Sequence, residues 1–348
     1  MHIPHSKPFL DSSDANSVNK VLESAYLSTG PLCQRFAQKT ARLFDKKFSI
    51  PTQSGTDALA LALFALKQKP GSEIAIPAYI CSALLDALKL NGLIPKPLDI
   101  SRSALAIKTE LVNEQQQNIS AVIGAHLFGI PAPLHKIEHP VLIEDCAQTI
   151  NAEIDGIKTG TTGILTVCSF YATKLLTTGH GGAVITDNID LHTRMTNNIN
   201  HDNNPSWRPH FHFQMSDFNA SLGLSQIEKL DALLKKRREI ALRYYTALGT
   251  PKHFHSSESY SRFIIIAEDG AEKLIEKFNY VGIEAKRPVY KPIHRYLNLP
   301  KKNFPNAEWA YSHIVSIPLY PAMTELEIEY IQQFLEKHKN EMRCRTST

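Results

Sequence analysis

The sequence lacks an export signal and any apolar run long enough to cross a bilayer. Its first residues, MHIPHSKPFLDSSDANSVNK, contain no basic segment followed by an apolar one. No apolar stretch approaches the roughly 20 residues that a transmembrane helix needs. We therefore expect a protein that is neither exported nor membrane-spanning.

Cysteine is also scarce. The five cysteines are an odd number, widely spaced and without a CxxC pair; they are Cys33, Cys81, Cys146, Cys168 and Cys344. This pattern excludes a disulfide scaffold and a cysteine-type zinc module. It favours a reducing compartment, and we predict a cytoplasmic protein without a metal site.

Charge of one sign is not in excess. The 38 basic and 34 acidic residues leave a net charge of +4, dispersed along the chain. Neither nucleic acid nor a membrane surface is therefore an expected partner. With 43% hydrophobic and 21% charged residues, the composition is typical of a packed globular protein. The 348 residues favour two domains or one large one.

Short apolar segments alternate with helix-length segments in the first half of the chain. The helices are predicted at residues 14–26, 33–45, 56–66 and 82–90. The strands are predicted at residues 73–77, 94–98, 121–126, 141–144, 167–171 and 183–186. This alternation predicts a mainly parallel sheet covered on both faces. The ligand site of such a sheet lies beyond the carboxyl ends of its strands.

The pattern changes in the second half. The polar segment 187–213 predicts a long loop, and residues 217–248 predict a helix whose basic run, 235–238, faces solvent. Further elements are predicted as strands at 262–267 and 283–287 and helices at 271–280 and 325–337. We therefore predict a large domain over residues 1–240, including an N-terminal arm, and a small C-terminal domain over residues 241–348.

One segment, VCSFYATKLLTTGHGG, suggests covalent chemistry. A predicted strand leads to Ser169 and, five residues later, to Lys174 in a glycine-rich turn. A lysine that apolar neighbours desolvate has a lowered pKa and acts as an amine nucleophile, as a Schiff base to an aldehyde cofactor requires. For a single loop lysine, a solvated side chain is the more common outcome.

Two other segments support that chemistry. Asp145 directly follows the apolar strand VLIE, where an aspartate pairs with a buried cation such as a pyridinium nitrogen or caps a turn. The segment QSGTD places small residues around Gly55 at the start of a helix, which suits either a phosphate seat or ordinary helix capping. Together the three segments supply a phosphate seat, a pyridinium partner and a nucleophilic lysine.

Five segments resemble, in their residues and in their order along the chain, the segments of one family. They are SGTDALALAL, EDCAQ, SFYATKLLTTGHGGAV, MSDFNASLGLSQIEKL and SIPLYPAMTELEIEYI, and they are similar to segments of the DegT/DnrJ/StrS pyridoxal-phosphate sugar aminotransferases. The resemblance runs from Ser28 to the last helix. It implies the α/β fold of the fold type I (aspartate aminotransferase-like) transferases, with a large, mainly parallel-sheet α/β/α domain and a small C-terminal α+β domain. It also implies pyridoxal 5'-phosphate as the cofactor.

The same resemblance implies roles for individual residues. Lys174 would form the Schiff base, Asp145 would pair with the pyridine nitrogen, and Gln148 would contact the phenolic oxygen. The phosphate would be held by Ser54, Gly55, Thr56, Asp57 and Ser169. The family is typically a homodimer with shared active sites, so the segment 211–214, and Gln214 within it, would reach the neighbour's phosphate.

The sequence departs from the family pattern at two places. Cys81 stands where many relatives carry a Phe or Trp that stacks on the cofactor ring, so Tyr79 is a candidate to replace it, or the ring is lightly covered. His212 and Gln214 replace the Asn and Arg common in the cross-subunit segment.

The implied activity moves an amino group from a donor, L-glutamate, to a keto group on a nucleotide-linked sugar. Such an amino sugar would serve a surface polysaccharide or a glycosylated metabolite. The family's dehydratases replace the lysine by histidine, so Lys174 disfavours that alternative. A non-sugar keto substrate and a non-catalytic, pyridoxal-phosphate-binding regulatory protein remain alternatives. A zinc site from His201, His210 and His212 matches no standard ligand spacing.

Overall fold

The computed structural model describes residues 1–200 and 210–345. The helices are α1 (Ser12–Ser24), α2 (Pro31–Leu43), α3 (Gly55–Ala65), α4 (Ala83–Leu90), α5 (Thr109–Glu114), α6 (Ile189–Ile199), α7 (Asp217–Ala247), α8 (Ala271–Tyr280), α9 (Ile293–Tyr296), α10 (Pro305–His313) and α11 (Glu325–His338). The strands are β1 (Phe48–Thr52), β2 (Glu73–Pro77), β3 (Ile94–Leu98), β4 (Ala121–Ala125), β5 (Leu142–Asp145), β6 (Glu153–Ile154), β7 (Ile157–Lys158), β8 (Leu165–Ser169), β9 (Gly182–Thr186), β10 (Phe263–Ala267), β11 (Ile314–Ile317) and β12 (Met342–Arg343).

The main sheet has seven strands in the order β1-β9-β8-β5-β4-β2-β3. The neighbours from β8 through β3 pair in parallel, whereas β9 runs antiparallel to both β8 and β1. The two edge strands, β1 and β3, contain prolines, which fits an edge because proline has no N–H to donate to a neighbour. The predicted α/β fold with a mainly parallel sheet is confirmed.

A smaller antiparallel sheet, in the order β11-β10-β12, forms a second core with α8, α11 and the second half of α7. The predicted boundary at residue 240 lies inside α7, which continues without interruption to Ala247. The division at 240 therefore stays a prediction. The small sheet has a core of its own, but Ile264, Ile266 and Ile314 of that sheet pack into the core of the main sheet.

The predicted loop over residues 187–213 is wrong for its first half, because α6 begins at Ile189. The Asn188 side chain caps this helix by accepting hydrogen bonds from its first turn. Leu191, Met195 and Ile199 recur every four residues and are buried, so the helical period is present within a polar segment. Residues 201–209, including His201, lie outside the described part of the chain.

Two other predictions in the second half are corrected. Residues 283–287 do not form a strand; only single bridges join Ile283 to Ile3 and Lys286 to Ser316. The basic run on α7 is not uniformly solvated, because Arg237 is only 5% exposed. Its guanidinium donates hydrogen bonds to three backbone carbonyls outside α7, those of Tyr260, Ser261 and Leu319. Arg237 thus satisfies backbone groups where the two cores meet.

Asp217, in the first turn of α7, caps a different helix. Its carboxylate accepts the backbone N–H groups of Gly30, Leu32 and Cys33 at the start of α2, where Gly30 has no side chain to do so. We expect Asp217→Ala to lower the free energy of unfolding by about 3 kcal/mol, because three backbone donors, one buried and two partly buried, lose a charged acceptor. The urea unfolding midpoint tests this, and Asp231→Ala on the exposed face of α7 is the control. Equal midpoints for the two variants would contradict the capping role.

Within residues 1–200 and 210–345, no helix is both long enough and apolar enough to cross a membrane.

Candidate active site

A cavity of about 260 Å³ lies at the carboxyl edge of the main sheet, where a parallel sheet is expected to place its ligand. The loops after β4, β5 and β8 and the first turn of α3 form its walls. Eight of the residues predicted to bind the cofactor line it: Ser54, Gly55, Thr56, Cys81, Asp145, Gln148, Ser169 and Lys174. Residues that lie far apart in the sequence are therefore brought together in one cavity.

Three predicted residues do not line this cavity. The backbone N–H of Asp57 donates to Ser54 Oγ at 3.0 Å, and burial raises the pKa of the Asp57 carboxyl. Tyr79 is fully buried and packs edge-on against Phe128. Gln214 pairs with Thr52, and its side chain donates to a carbonyl of its own subunit, that of Ile199. The roles assigned to these residues by resemblance stay predictions.

The start of α3 is the place where the sequence predicts a phosphate seat. Ser54 is the N-cap and accepts only the Asp57 N–H with its side chain, while the first amides of a helix have no partner within the helix. A Cβ atom on Gly55 would lie 2.8 Å from Ser169 Cβ, so the glycine allows the loop after β8 to approach these amides. The converging amides and the Ser169 hydroxyl fit a phosphate group.

Lys174 and Asp145 both line the cavity, and the charge of each influences the pKa of the other. Burial lowers the pKa of Lys174, and the nearby Asp145 opposes that effect. Burial raises the pKa of Asp145, whose Oδ1 accepts the Ala147 N–H at 2.9 Å. Among the described residues, no hydrogen bond reaches Asp145 Oδ2. This free oxygen fits the N–H of a pyridinium ring, whose positive charge would favour the ionised carboxylate.

Gln148 is oriented by the backbone. Its Oε1 accepts the N–H of Phe128 at 2.9 Å, and therefore the side-chain NH2 is the end left to face the cavity. An amide donor at this position fits a phenolate oxygen, as the family resemblance implies. Phe128 itself adopts a positive φ of 62°.

His126 also lines the cavity, and the sequence analysis missed it. Its Nδ1 accepts the Ala132 N–H at 2.9 Å, so its Nε2 carries the proton and donates to Glu144 Oε1 at 3.2 Å. The residue follows β4, whose last residue, Ala125, pairs with Asp145 in the register of the sheet. The predicted strand 121–126 ends at His126, and this was the available clue, because side chains at the ends of neighbouring parallel strands meet at one edge.

Glu144 supports the end of β5 that carries Asp145. Burial works to raise the pKa of Glu144, but the hydrogen bond and charge of His126 and the backbone donors outweigh it and hold the pKa below its ordinary value. The backbone donors are the N–H groups of Gly160, Thr162 and Gly163. The buried carboxylate is therefore fully used as an acceptor.

We expect Glu144→Gln to lower the free energy of unfolding at neutral pH by about 2 kcal/mol, because its NH2 would face a backbone donor. A lowered pKa in the folded state stabilises the protein above the unfolded-state pKa, and this contribution is lost as the pH falls through the folded-state value. The difference between variant and wild type should therefore shrink in acid. Urea unfolding midpoints across pH test this, and a difference that grows in acid would contradict it.

Comparison with known proteins places this chain among enzymes. The model of the DegT/DnrJ/EryC1/StrS aminotransferase family matches residues 8–336. An uncharacterised protein of Methanocaldococcus jannaschii is 29% identical, with 98% of each chain aligned.

Solved structures share the fold. A Streptococcus pneumoniae protein in its PMP-form has a TM-score of 0.89 at 22% identity, with 98% of each chain covered. The Helicobacter pylori aminotransferase PseC has a TM-score of 0.87 at 22% identity, covering 98% of this chain and 100% of its own. An aminotransferase from Psychrobacter cryohalolentis has a TM-score of 0.87 at 23% identity, with the same coverage.

The fold and the cavity define an enzyme of the pyridoxal-phosphate-dependent aminotransferase class, with the fold type I architecture. More narrowly, the chain belongs to the DegT/DnrJ/EryC1/StrS aminotransferase family, since the family model spans nearly all of it. The family and fold predicted from the sequence motifs are thereby confirmed.

Proposed function

We propose that this protein transfers an amino group from L-glutamate to a keto group of a nucleotide-linked sugar, with pyridoxal 5'-phosphate as its cofactor. One observation carries the proposal: Lys174 and Asp145 face the same cavity beside the free amides of α3. Two structural relatives support the sugar. PseC is involved in the biosynthesis of pseudoaminic acid, and DesI was solved in the presence of its TDP-sugar product.

The cofactor, when bound, supplies an aldehyde that takes up the amino group and a ring that absorbs the electrons released at the donor's α-carbon. The start of α3 and Ser169 would hold its phosphate. Asp145 would keep the ring nitrogen protonated through its free Oδ2. Gln148 would donate its NH2 to the phenolic oxygen and so keep the ring in one orientation.

Lys174 moves the proton. Because burial lowers its pKa, Nζ is more readily a free amine than that of an exposed lysine. Nζ would take the proton from the α-carbon of the donor and return it on the cofactor side. In the second half of the reaction Lys174 would move a proton in the reverse direction, while the keto substrate leaves as an amine.

We further propose a cytoplasmic homodimer. The segment 211–214 would then lie near the partner's site, with Gln214 as the candidate contact. Mass measurement in solution by light scattering tests the dimer, and a Gln214→Ala change that leaves cofactor affinity unaltered would remove Gln214 from the site.

The absorption spectrum of the protein with pyridoxal phosphate tests the activity. We expect a band of the lysine-bound cofactor, which L-glutamate converts to the pyridoxamine form and a keto-sugar nucleotide restores. D-glutamate is the control, because the wrong stereoisomer would place its α-proton away from Lys174. No cofactor band would overturn the enzymatic proposal. A band that no amino donor changes would instead favour a regulatory, cofactor-binding protein.

A further inference from the structure

Lys174 lines a second, smaller cavity as well, of about 30 Å³. Its walls come from the N-terminal arm at Phe9, from α7 at Arg237, from the segment before β10 at Ser261 and Arg262, and from Tyr320. A space of this size holds one or two atoms of the size of a water oxygen. The cavity is therefore suited to a small ligand group and not to a whole sugar.

The charge of this cavity is positive and uncompensated. Four cationic residues line it, and none of its described lining residues is an aspartate or a glutamate; the four are Lys7, Lys174, Arg237 and Arg262. Arg262 makes no ion pair with any residue in 1–200 or 210–345, and the neighbours that favour its charged form are Tyr79 and Cys81. Buried cations are normally paired, so the absence of an acidic partner needs an explanation.

Polar atoms around the cavity are also left without partners. Within the described residues, Arg237 Nε, Ser261 Oγ and Tyr320 OH are buried and make no hydrogen bond. All three belong to residues that line this cavity, and Arg237 is only 5% exposed. Each of the three atoms is a hydrogen-bond donor. Water would satisfy the hydroxyl groups but would leave the positive charge uncompensated.

The backbone ties Arg262 to the active site. Its N–H donates to the carbonyl of Phe128 at 3.3 Å, and the N–H of the same Phe128 holds Gln148 Oε1. Arg262 and Lys174 are also close enough for the charge of Arg262 to lower the pKa of Lys174. A negative charge beside Arg262 would oppose that repulsion.

We propose that this cavity is an anion site, in which Arg262 and the donors of Arg237, Ser261 and Tyr320 bind one monovalent anion beside Lys174. A free halide-sized anion has the required size and chemistry. A guanidinium with neighbouring N–H and O–H donors binds such an anion through charge-assisted hydrogen bonds. This site does not depend on the proposed function.

The first experiment measures thermal stability without cofactor in potassium chloride against potassium gluconate at equal ionic strength. Gluconate is too large for the cavity, so a specific site predicts a melting temperature about 2 °C or more higher in chloride. Arg262→Met should abolish the difference. Arg102→Met is the matched control, because Arg102 also makes no ion pair with described residues but is exposed. Equal melting temperatures in both salts and no anion density in crystals would overturn the proposal.

The second experiment locates the anion. Crystals grown in bromide should show an anomalous peak next to Arg262 in wild type and in Arg102→Met. Tyr320→Phe removes one oxygen and keeps every charge, so it should fold normally and weaken chloride binding by about 10-fold. An unchanged chloride affinity in Tyr320→Phe, or a bromide peak that persists in Arg262→Met, would overturn the assignment of these residues.

The third experiment separates this site from the active site in the cofactor-loaded protein. Because the anion lies in its own cavity, chloride binding should persist at saturating L-glutamate. Competition between glutamate and chloride would overturn the assignment of the anion to this cavity. Loss of the cofactor band in wild type would overturn the proposed function while leaving the chloride and bromide results intact.

Discussion

Replacing Lys174 by alanine is expected to lower the rate of amino transfer by about 10³-fold or more while leaving the cofactor bound. Lys174 is the only residue to which we assign both the bond to the cofactor and the proton transfer, and a positioned general base alone contributes about 10² to 10⁴-fold. The α3 seat, Asp145 and Gln148 remain in place. Single-turnover kinetics with L-glutamate measure the rate, and equilibrium dialysis measures the bound cofactor.

Lys174→Arg is the matched variant. Arginine keeps a positive charge near Asp145, but it stays protonated and neither forms a Schiff base nor accepts the α-proton. We therefore expect Lys174→Arg to be as inactive as Lys174→Ala. Activity in the arginine variant would mean that the charge of residue 174, and not its free amine, drives the reaction.

The central sheet and most of the cavity were predictable because their information is local. Each strand of the parallel part is a short apolar run, and β2 and β3 fall at the predicted residues. Asp145 and Ser169, which line the cavity, are the last residues of β5 and β8. A parallel sheet then brings the carboxyl ends together without any further information.

Elements with weak local patterns were missed. β1 has the sequence FSIPT. Its proline and polar residues are compatible with an edge strand but do not form the apolar run by which the other strands were predicted. α6 has apolar residues at every fourth position among polar ones. Its polar composition led to the prediction of a loop, although the helical period was present. The predicted strand at 283–287 has the residue types of a strand, but the chain pairs there only at Ile283 and Lys286. Pairing depends on tertiary neighbours that the local sequence does not specify.

The environment of individual side chains depends on contacts across the two cores. Tyr79 is buried against Phe128, whereas Cys81 lines the cavity. The two residues lie only two positions apart, and the sequence does not indicate that their environments differ. A backbone hydrogen bond connects Arg262 to Phe128, which lies far away in the sequence. Such contacts follow from the folded arrangement and not from any motif.

Gly129 packs closely against the backbone of the segment 259–262. Its φ is +87°, and a Cβ atom there would lie 2.4 Å from the N of Tyr260 and 2.6 Å from the N of Ser261. Its carbonyl accepts the Ser259 N–H at 3.0 Å. We expect Gly129→Ala to lower the free energy of unfolding by about 3 kcal/mol, because left-handed strain and overpacking against backbone add. The urea unfolding midpoint measures this loss.

Gly156→Ala separates the two causes. Gly156 has a similar φ of +73° in the β6–β7 turn, but no heavy atom lies within 4 Å of a Cβ atom built there. This variant should therefore show only the strain, about 1–2 kcal/mol. Because Phe128 precedes Gly129 and holds both Gln148 and Arg262, only Gly129→Ala should also weaken cofactor binding, by about 10-fold, the loss of one hydrogen bond. Equal effects of the two substitutions on both measurements would mean that strain alone acts, and that the contact between residues 128–129 and 259–262 does not position the site.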